Sequence, residues 1–243
     1  MKPYHQVPIL ECNEPLCSIP LEQFAVPLAH PYASLGAPYG NASPYLLRKD
    51  VVQRLRLAQN RLQARQPGWK IQIFDGYRPV AVQHFMVNYT LRELALARGL
   101  DVHRLDQHQH QTLLNEVYQF WAVPNPDPTT PPPHSTGAAV DVTLVDASGQ
   151  PVAMGGDIDE LSERSHPNYY GDRINPKSPR YCHTAATYHR HRTLLHWAMT
   201  TADFCRHPHE WWHFSYGDQL WAWLKTKDTM DTMVVARYGA VLD

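Results

Sequence analysis

The sequence predicts an α+β fold: one domain in which helices flank a small antiparallel or mixed sheet. Three observations lead there. Apolar residues recur at steps of three or four in several segments, which is helical spacing. A few short segments alternate apolar and polar residues instead, which is strand spacing. The two kinds do not follow one another regularly, so the βαβ series that builds a parallel sheet is missing.

Residues 1–45 are rich in Pro, Tyr and Gly and show no sustained period; they read as an irregular arm packed on a domain spanning 46–243. Leu47, Val51, Leu55, Ala58 and Leu62 mark a first helix, which Pro67-Gly68 ends. Residues 70–74 (KIQIF) alternate, with Ile71 and Ile73 on one face, and predict a strand. DGYRP (75–79) is a turn whose Pro79 suits the first position of a new helix, expected to run to about Ala97. Another helix is expected from about Val102 to Trp121. The proline-rich stretch 124–133 lacks backbone donors and must be a loop. A strand follows at 138–146, with Val140, Val142 and Leu144 on one face and Asp141 and Thr143 on the other. Residues 155–183 read as irregular. A helix is expected from about 187 to 205, with Leu194, Ala198, Ala202 and Cys205 on one face. EWWHFSY (210–216) reads as an aromatic strand, and a short helix is expected beyond Leu220.

Composition narrows the function. A net charge of −1 gives no basic field for nucleic acid. No run of about 18 apolar residues occurs, so no membrane span is expected. No apolar run of signal-peptide length opens the chain either, which points to the cytoplasm. The four cysteines (Cys12, Cys17, Cys182, Cys205) are then most simply free thiols, although Cys12 and Cys17 could pair in an exported protein. Fifteen histidines invite a metal hypothesis.

Two segments carry the chemistry. In PPPHSTGAAVDVTL, His134 ends a rigid proline loop and Asp141 projects from the adjoining strand, so the two can converge on one ion. Asp141 could equally be a solvent-facing strand residue, but Asp is depleted in strands. In HPHEWWHFSY, Glu210 and His213 lie among tryptophans that would dry their surroundings. A carboxylate and an imidazole so placed must be paired, metal-bound or shifted in pKa. The alternative is a strand-end Glu in water and a hydrogen-bonded core His. His207 and His209, beside a proline turn, read as exposed. Catalytic zinc takes three protein ligands and an open position, with a base beside the bound water. His134, Asp141 and His213 fit the first role and Glu210 the second, with one zinc ion per chain.

The pattern H-x-x-G-x-A-V-D (His134, Gly137, Ala139, Val140, Asp141), followed about 70 residues later by E-x-W-H (Glu210, Trp212, His213), resembles the zinc D-alanyl-D-alanine dipeptidases. These are VanX-type enzymes related to the D,D-carboxypeptidases and to the hedgehog fold. DGYRP (Asp75 to Pro79) matches as well, and residues 156–165 match loosely. The resemblance runs in order from about Tyr32 to Phe214. It implies the ligand set above, Glu210 as acid and base, and Arg78 as the group that meets the developing oxyanion. It further implies Asp159 and Tyr32 near the substrate ammonium, with Tyr45, Asp75 and Trp211 around the site. An alternative for DGYRP is a structural turn in which Asp75 pairs with Arg78, and the two readings are compatible. One departure stands out: serines commonly precede the first ligand in this family, whereas Pro132 and Pro133 do here.

The expected activity is hydrolysis of a small dipeptide, most simply D-alanyl-D-alanine. A peptidoglycan D,D- or L,D-carboxypeptidase is the alternative on the same scaffold. A non-enzymatic zinc-binding interaction module is the alternative outside enzymes; it would need neither Glu210 nor Arg78. Oligomeric state is left open by the sequence.

Overall fold

A computed structural model describes residues 2–229 and 233–241; residues 230–232 and 242–243 of the expected 46–243 domain lie outside the described residues. The element order is β1 (Leu16–Ser18), α1 (Pro31–Ser34), β2 (Leu46–Arg48), α2 (Lys49–Arg65), β3 (Lys70–Asp75), α3 (Val80–Ala97), α4 (Gln107–Phe120), β4 (Ala139–Val145), α5 (His183–Thr201), β5 (Cys205–Arg206), β6 (His213–Ser215) and α6 (Gln219–Thr229). The fold is α+β, as the spacing predicts.

The central sheet has the order β3-β4-β6-β5, and every pairing is antiparallel. Val140, Val142 and Leu144 face a core built with Leu55 and Leu62 of α2 and Leu195 and Met199 of α5. The opposite face of β4 is covered too, and Asp141 there is only 2% exposed. A solvent-facing Asp141 is thereby excluded. α3 and α4 build a second core in which Val82, Met86, Leu91, Leu113 and Val117 pack with Tyr32 and Trp121.

The first 45 residues carry short elements of their own. β1 pairs with β2, Ala25 bridges to Gln72 beside β3, and Ile9 bridges to Ala236 near the other end of the chain. Four expectations need correction. Leu47, expected in the first helix, pairs with Cys17 in β2, and α2 starts only at Lys49. The helix expected over 102–121 is a short 3-10 turn at Val102–Arg104 and then α4. Asp106 restarts the helix, because its carboxylate accepts from the Gln109 N–H while the Gln109 side chain accepts from the Asp106 N–H. The helix expected over 187–205 begins at His183 and stops at Thr201; Asp203 then adopts φ +73°, which turns Cys205 into an edge strand. The strand expected over 210–216 is reduced to 213–215, since the Trp211 N–H turns away to Ser165 O. No helix among the described residues is long and apolar enough to cross a membrane. The four cysteines are unpaired.

Gly137 joins the His134 turn to β4 with φ +70°. A side chain there would run into Leu16 of β1. Gly137→Ala is therefore expected to cost about 1–2 kcal/mol from the left-handed backbone alone, and more from the overlap. Chemical denaturation checks this; a midpoint equal to that of the unaltered chain would show that β1 moves aside freely.

Candidate metal centre and active site

The sheet register builds the site. Asp75 on β3 lies opposite Asp141 on β4, and Asp141 lies opposite His213 on β6. Directly opposed residues have Cβ atoms about 4.5–5.5 Å apart, so three neighbouring strands present one row of polar side chains. A register shift between Ile73 and Asp75 puts Asp75 into that row.

His134 joins from the 3-10 turn before β4, and that turn is tied to the DGYRP turn. The Arg78 N–H donates to His134 O at 3.2 Å, and the Ser135 hydroxyl donates to Arg78 O at 2.8 Å. His134 Nδ1 donates to Gly76 O at 2.7 Å. Gly76 itself sits too close to Pro44 O for any Cβ, at 2.7 Å.

These constraints bring His134, Asp141 and His213 together, with ligand atoms all within 4.8 Å of one another and every residue buried. The hydrogen bonds behind them fix the imidazole tautomers. Because His134 Nδ1 gives its hydrogen to a carbonyl, Nε2 carries the lone pair. The Ser215 hydroxyl donates to Asp218 Oδ2 at 2.7 Å, so Ser215 Oγ can only accept from His213 Nε2, at 3.3 Å. His213 Nδ1 therefore carries its lone pair inward. The two lone pairs face each other at 3.1 Å. Asp141 contributes a carboxylate between them, and its buried Oδ1 has no hydrogen bond. Two lone pairs and an orphaned carboxylate oxygen converging in a dry place are the donor set of a metal ion. Burial pushes the Asp141 carboxyl up, and the His134 and then the His213 nitrogen beside it outweigh this and hold it well below the usual range.

Around this centre lies a pocket, partly open to solvent, whose wall includes Lys2, Tyr4, Arg78, Asp159, Glu210 and Trp212. Glu210 is 7% exposed, with its oxygens 3.5 Å from His207 Nδ1 and 3.8 Å from His213 Nδ1. Burial, and then the charges of Asp141 and Asp159, push its carboxyl well above the ordinary range.

Arg78 is buried beneath the cavity wall. Its Nε donates to Asp75 at 2.8 Å, one terminal nitrogen to Gln83 at 2.9 Å, and the other to Tyr32 OH at 3.2 Å and Asp141 at 3.1 Å. Four of its five N–H groups are thus engaged. Asp159 accepts from Tyr32 OH at 2.7 Å and adopts φ +65°. Positive φ is uncommon outside glycine, is tolerated best by Asn and Asp, and collects at functional sites. Desolvation and the Asp141 charge push the Asp159 carboxyl up to about 7, against the pull of Arg78 and Tyr32.

Of the residues expected near the substrate, Asp159 lines this cavity, Tyr32 stands behind it with its hydroxyl on Asp159, and the other three stand apart. Tyr45 packs edge-on against His30, 5.5 Å between ring centres. Trp211 lies under the Arg192 guanidinium and borders a separate hollow beside Phe74 and Ile158. Asp75 stands behind the centre, held by His30, Tyr39 and Arg78.

The expectation of an exposed His207 is corrected. Its side chain is 15% exposed, and its ring meets that of His213 edge-on at 5.5 Å. The three-residue interval to Glu210 was the available signal. Ser215 and Asp218 were also missed; the interval S-x-x-D directly after His213 marks them. His30, Gln83 and Lys2 come from remote segments with no local signature.

Residues 28–234 match the peptidase M15 family, described as D-ala-D-ala dipeptidase. The chain belongs to this family. It is 51% identical over 241 residues to the D-alanyl-D-alanine dipeptidase of Synechocystis sp., covering 99% of this chain and 97% of that one. The D-alanyl-D-alanine dipeptidase of Escherichia coli is 34% identical over 125 residues, covering 50% and 58% respectively. That of Enterococcus faecium is 27% identical over 175 residues, covering 70% and 75%. M15 peptidases are metallopeptidases, and the His/Asp/His cluster suits such a role in this M15 peptidase.

The tautomer argument is open to test. Ser215→Ala removes the acceptor that orients His213, and loss of such a partner typically lowers metal affinity about 10–100-fold. A competition titration against a chromogenic chelator measures this. Unchanged affinity in Ser215→Ala would overturn the assignment of Nδ1 as the inward atom.

Proposed function

We propose that this M15 peptidase hydrolyses D-alanyl-D-alanine to two molecules of D-alanine, using one zinc ion held by His134, Asp141 and His213. The observation that carries the reading is the convergence of that ligand set with a buried carboxylate, Glu210, and a buried guanidinium, Arg78, on one small cavity. The names of the relatives support the substrate.

Zinc in this donor set would supply Lewis-acid polarisation and a more acidic water. The chain's own groups do the rest. Glu210 takes the proton from the attacking water and returns it to the leaving amine. Its raised proton affinity suits a group that must hold a proton between the two events. Arg78 has one N–H left over, on the nitrogen shared with Gln83, and this donor meets the negative charge that develops on the scissile carbonyl oxygen. Asp159, oriented by Tyr32, receives the substrate's ammonium. Trp212 and Trp121 exclude water around them.

Glu210→Ala is expected to keep its zinc and lose about 10²–10⁴-fold in turnover. Zinc content beside kcat checks this, and near-normal turnover would sink the mechanism. Arg78→Ala would leave Asp75 and Asp141 buried without their partner, at about 3–5 kcal/mol in stability. Arg78→Lys is the cleaner variant: it keeps the charge, lacks the planar fork, and should lower kcat while staying folded.

The Asp159 carboxyl holds its proton up to about 7, so it is neutral in acid and charged above. Ammonium capture needs the charged form. KM for the free dipeptide should therefore fall as pH rises through about 7, and Asp159→Asn should raise KM and flatten that profile. N-acetylation of the dipeptide should cost tenfold or more, since it leaves Asp159 desolvated and unpaired. Equal rates on free and acetylated peptides would favour the D,D-carboxypeptidase reading.

A further inference from the structure

The geometry points to Lys2, on the N-terminal arm, as the residue that recognises the carboxylate of a zwitterionic dipeptide. This rests on the dipeptidase reading above and adds a specificity residue to it. A free dipeptide carries an ammonium at one end and a carboxylate at the other. Asp159 answers the first charge. The second needs a cation or several hydrogen-bond donors within reach.

Only Arg78 and Lys2 bring a permanent positive charge to the cavity wall among the described residues. Arg78 has committed four of its five N–H groups to Asp75, Gln83, Tyr32 and Asp141. The fifth is claimed by the carbonyl oxygen in the proposed reaction. The turn before His134 offers nothing, because Pro132 and Pro133 line the cavity there and have neither a hydroxyl nor an N–H. Gln83 gives one amide hydrogen to Ala122 O at 2.7 Å, and its carbonyl oxygen accepts from Arg78.

Lys2 is differently placed. Its ammonium has three hydrogens and makes one long bond, to Tyr118 O at 3.4 Å. Among the described residues the ammonium has no other hydrogen bond and no ion pair. Lys2 lines the same cavity wall as Glu210 and His207. The arm is anchored beside it: Tyr4 is buried against Trp223 of α6, and the Val7 carbonyl accepts from the Gln219 side chain at 2.8 Å. A half-buried ammonium with open valences, on an anchored backbone and facing the cavity that Glu210 also lines, is a receptor for a carboxylate.

The test compares D-Ala-D-Ala with its C-terminal amide on the unaltered enzyme, Lys2→Gln and Lys2→Arg. The unaltered enzyme should prefer the acid by about tenfold or more in kcat/KM, mainly through KM. Lys2→Gln should bring the ratio toward one, while Lys2→Arg should keep most of it. A purely structural role for Lys2 would lower both rates together and leave the ratio unchanged. An unchanged ratio in Lys2→Gln, or no acid preference in the unaltered enzyme, overturns the proposal. Calorimetric titration of the same two peptides into Glu210→Gln and Glu210→Gln/Lys2→Gln reads the ratio without turnover. If the unaltered enzyme cleaves neither peptide, the dipeptidase reading falls, and the binding ratio still decides the role of Lys2.

Discussion

The guanidinium of Arg78 is the joint on which the rest of the structure depends. It bonds to Asp75 at the end of β3, Asp141 in β4, Gln83 in α3 and Tyr32 in α1. Its backbone also meets the His134 turn in both directions. Asp75 and Asp141 face each other across adjacent strands, and two buried carboxylates so placed repel. Arg78 makes that register tolerable, and only a planar fork can serve both carboxylates and two further acceptors at once. The register in turn puts Asp141 opposite His213. One buried cation therefore links the pairing of the sheet, the direction of the His134 turn and the ligand set.

The site is built from pairs of residues that are close in sequence, brought together by strands that are far apart in it. His134 and Asp141 come from one turn and strand, and Glu210 and His213 from one turn and strand. Residue type and interval within each pair were readable because each pair is local. The strand alternation placed Asp141 away from Val140 and Val142, and the structure keeps it there. The groups that orient the ligands were harder to read. Ser215 and Asp218 follow His213 closely, but a serine and an aspartate near a strand end look like any turn. His30 reaches Asp75 from 45 residues away. Pairing of that kind leaves no trace in periodicity or composition.

The errors in element boundaries have local causes of the same sort. The aromatic run 210–216 has strand composition throughout, yet only 213–215 pair. Glu210 lies on the turn that precedes them, so its carboxylate can swing toward the ligands instead of standing in the ladder. Asp203 breaks the expected long helix with a left-handed backbone, and the chain then returns as the edge strand that pairs with β6. In both places a polar residue leaves regular structure and thereby closes the sheet around the site. Local propensity predicts the regular structure; the sheet determines where it must stop.

Charge balance explains why so many acids sit together. Asp75, Asp141, Asp159 and Glu210 are carboxylates within or just behind one cavity, against two permanent cations, Arg78 and Lys2. Without a further cation this excess is relieved by holding protons, and Asp159 and Glu210 are the two groups whose proton affinities rise. Asp141, flanked by two imidazoles, stays ionised. A divalent ion at the ligand set would offset the excess at its centre, beside Asp141. It would leave the outer two carboxylates for a proton and an ammonium respectively. The arrangement gives chemically similar groups different surroundings. Asp141 is fixed between two imidazoles, Glu210 stands beside His207 and His213, and Asp159 is held by Tyr32.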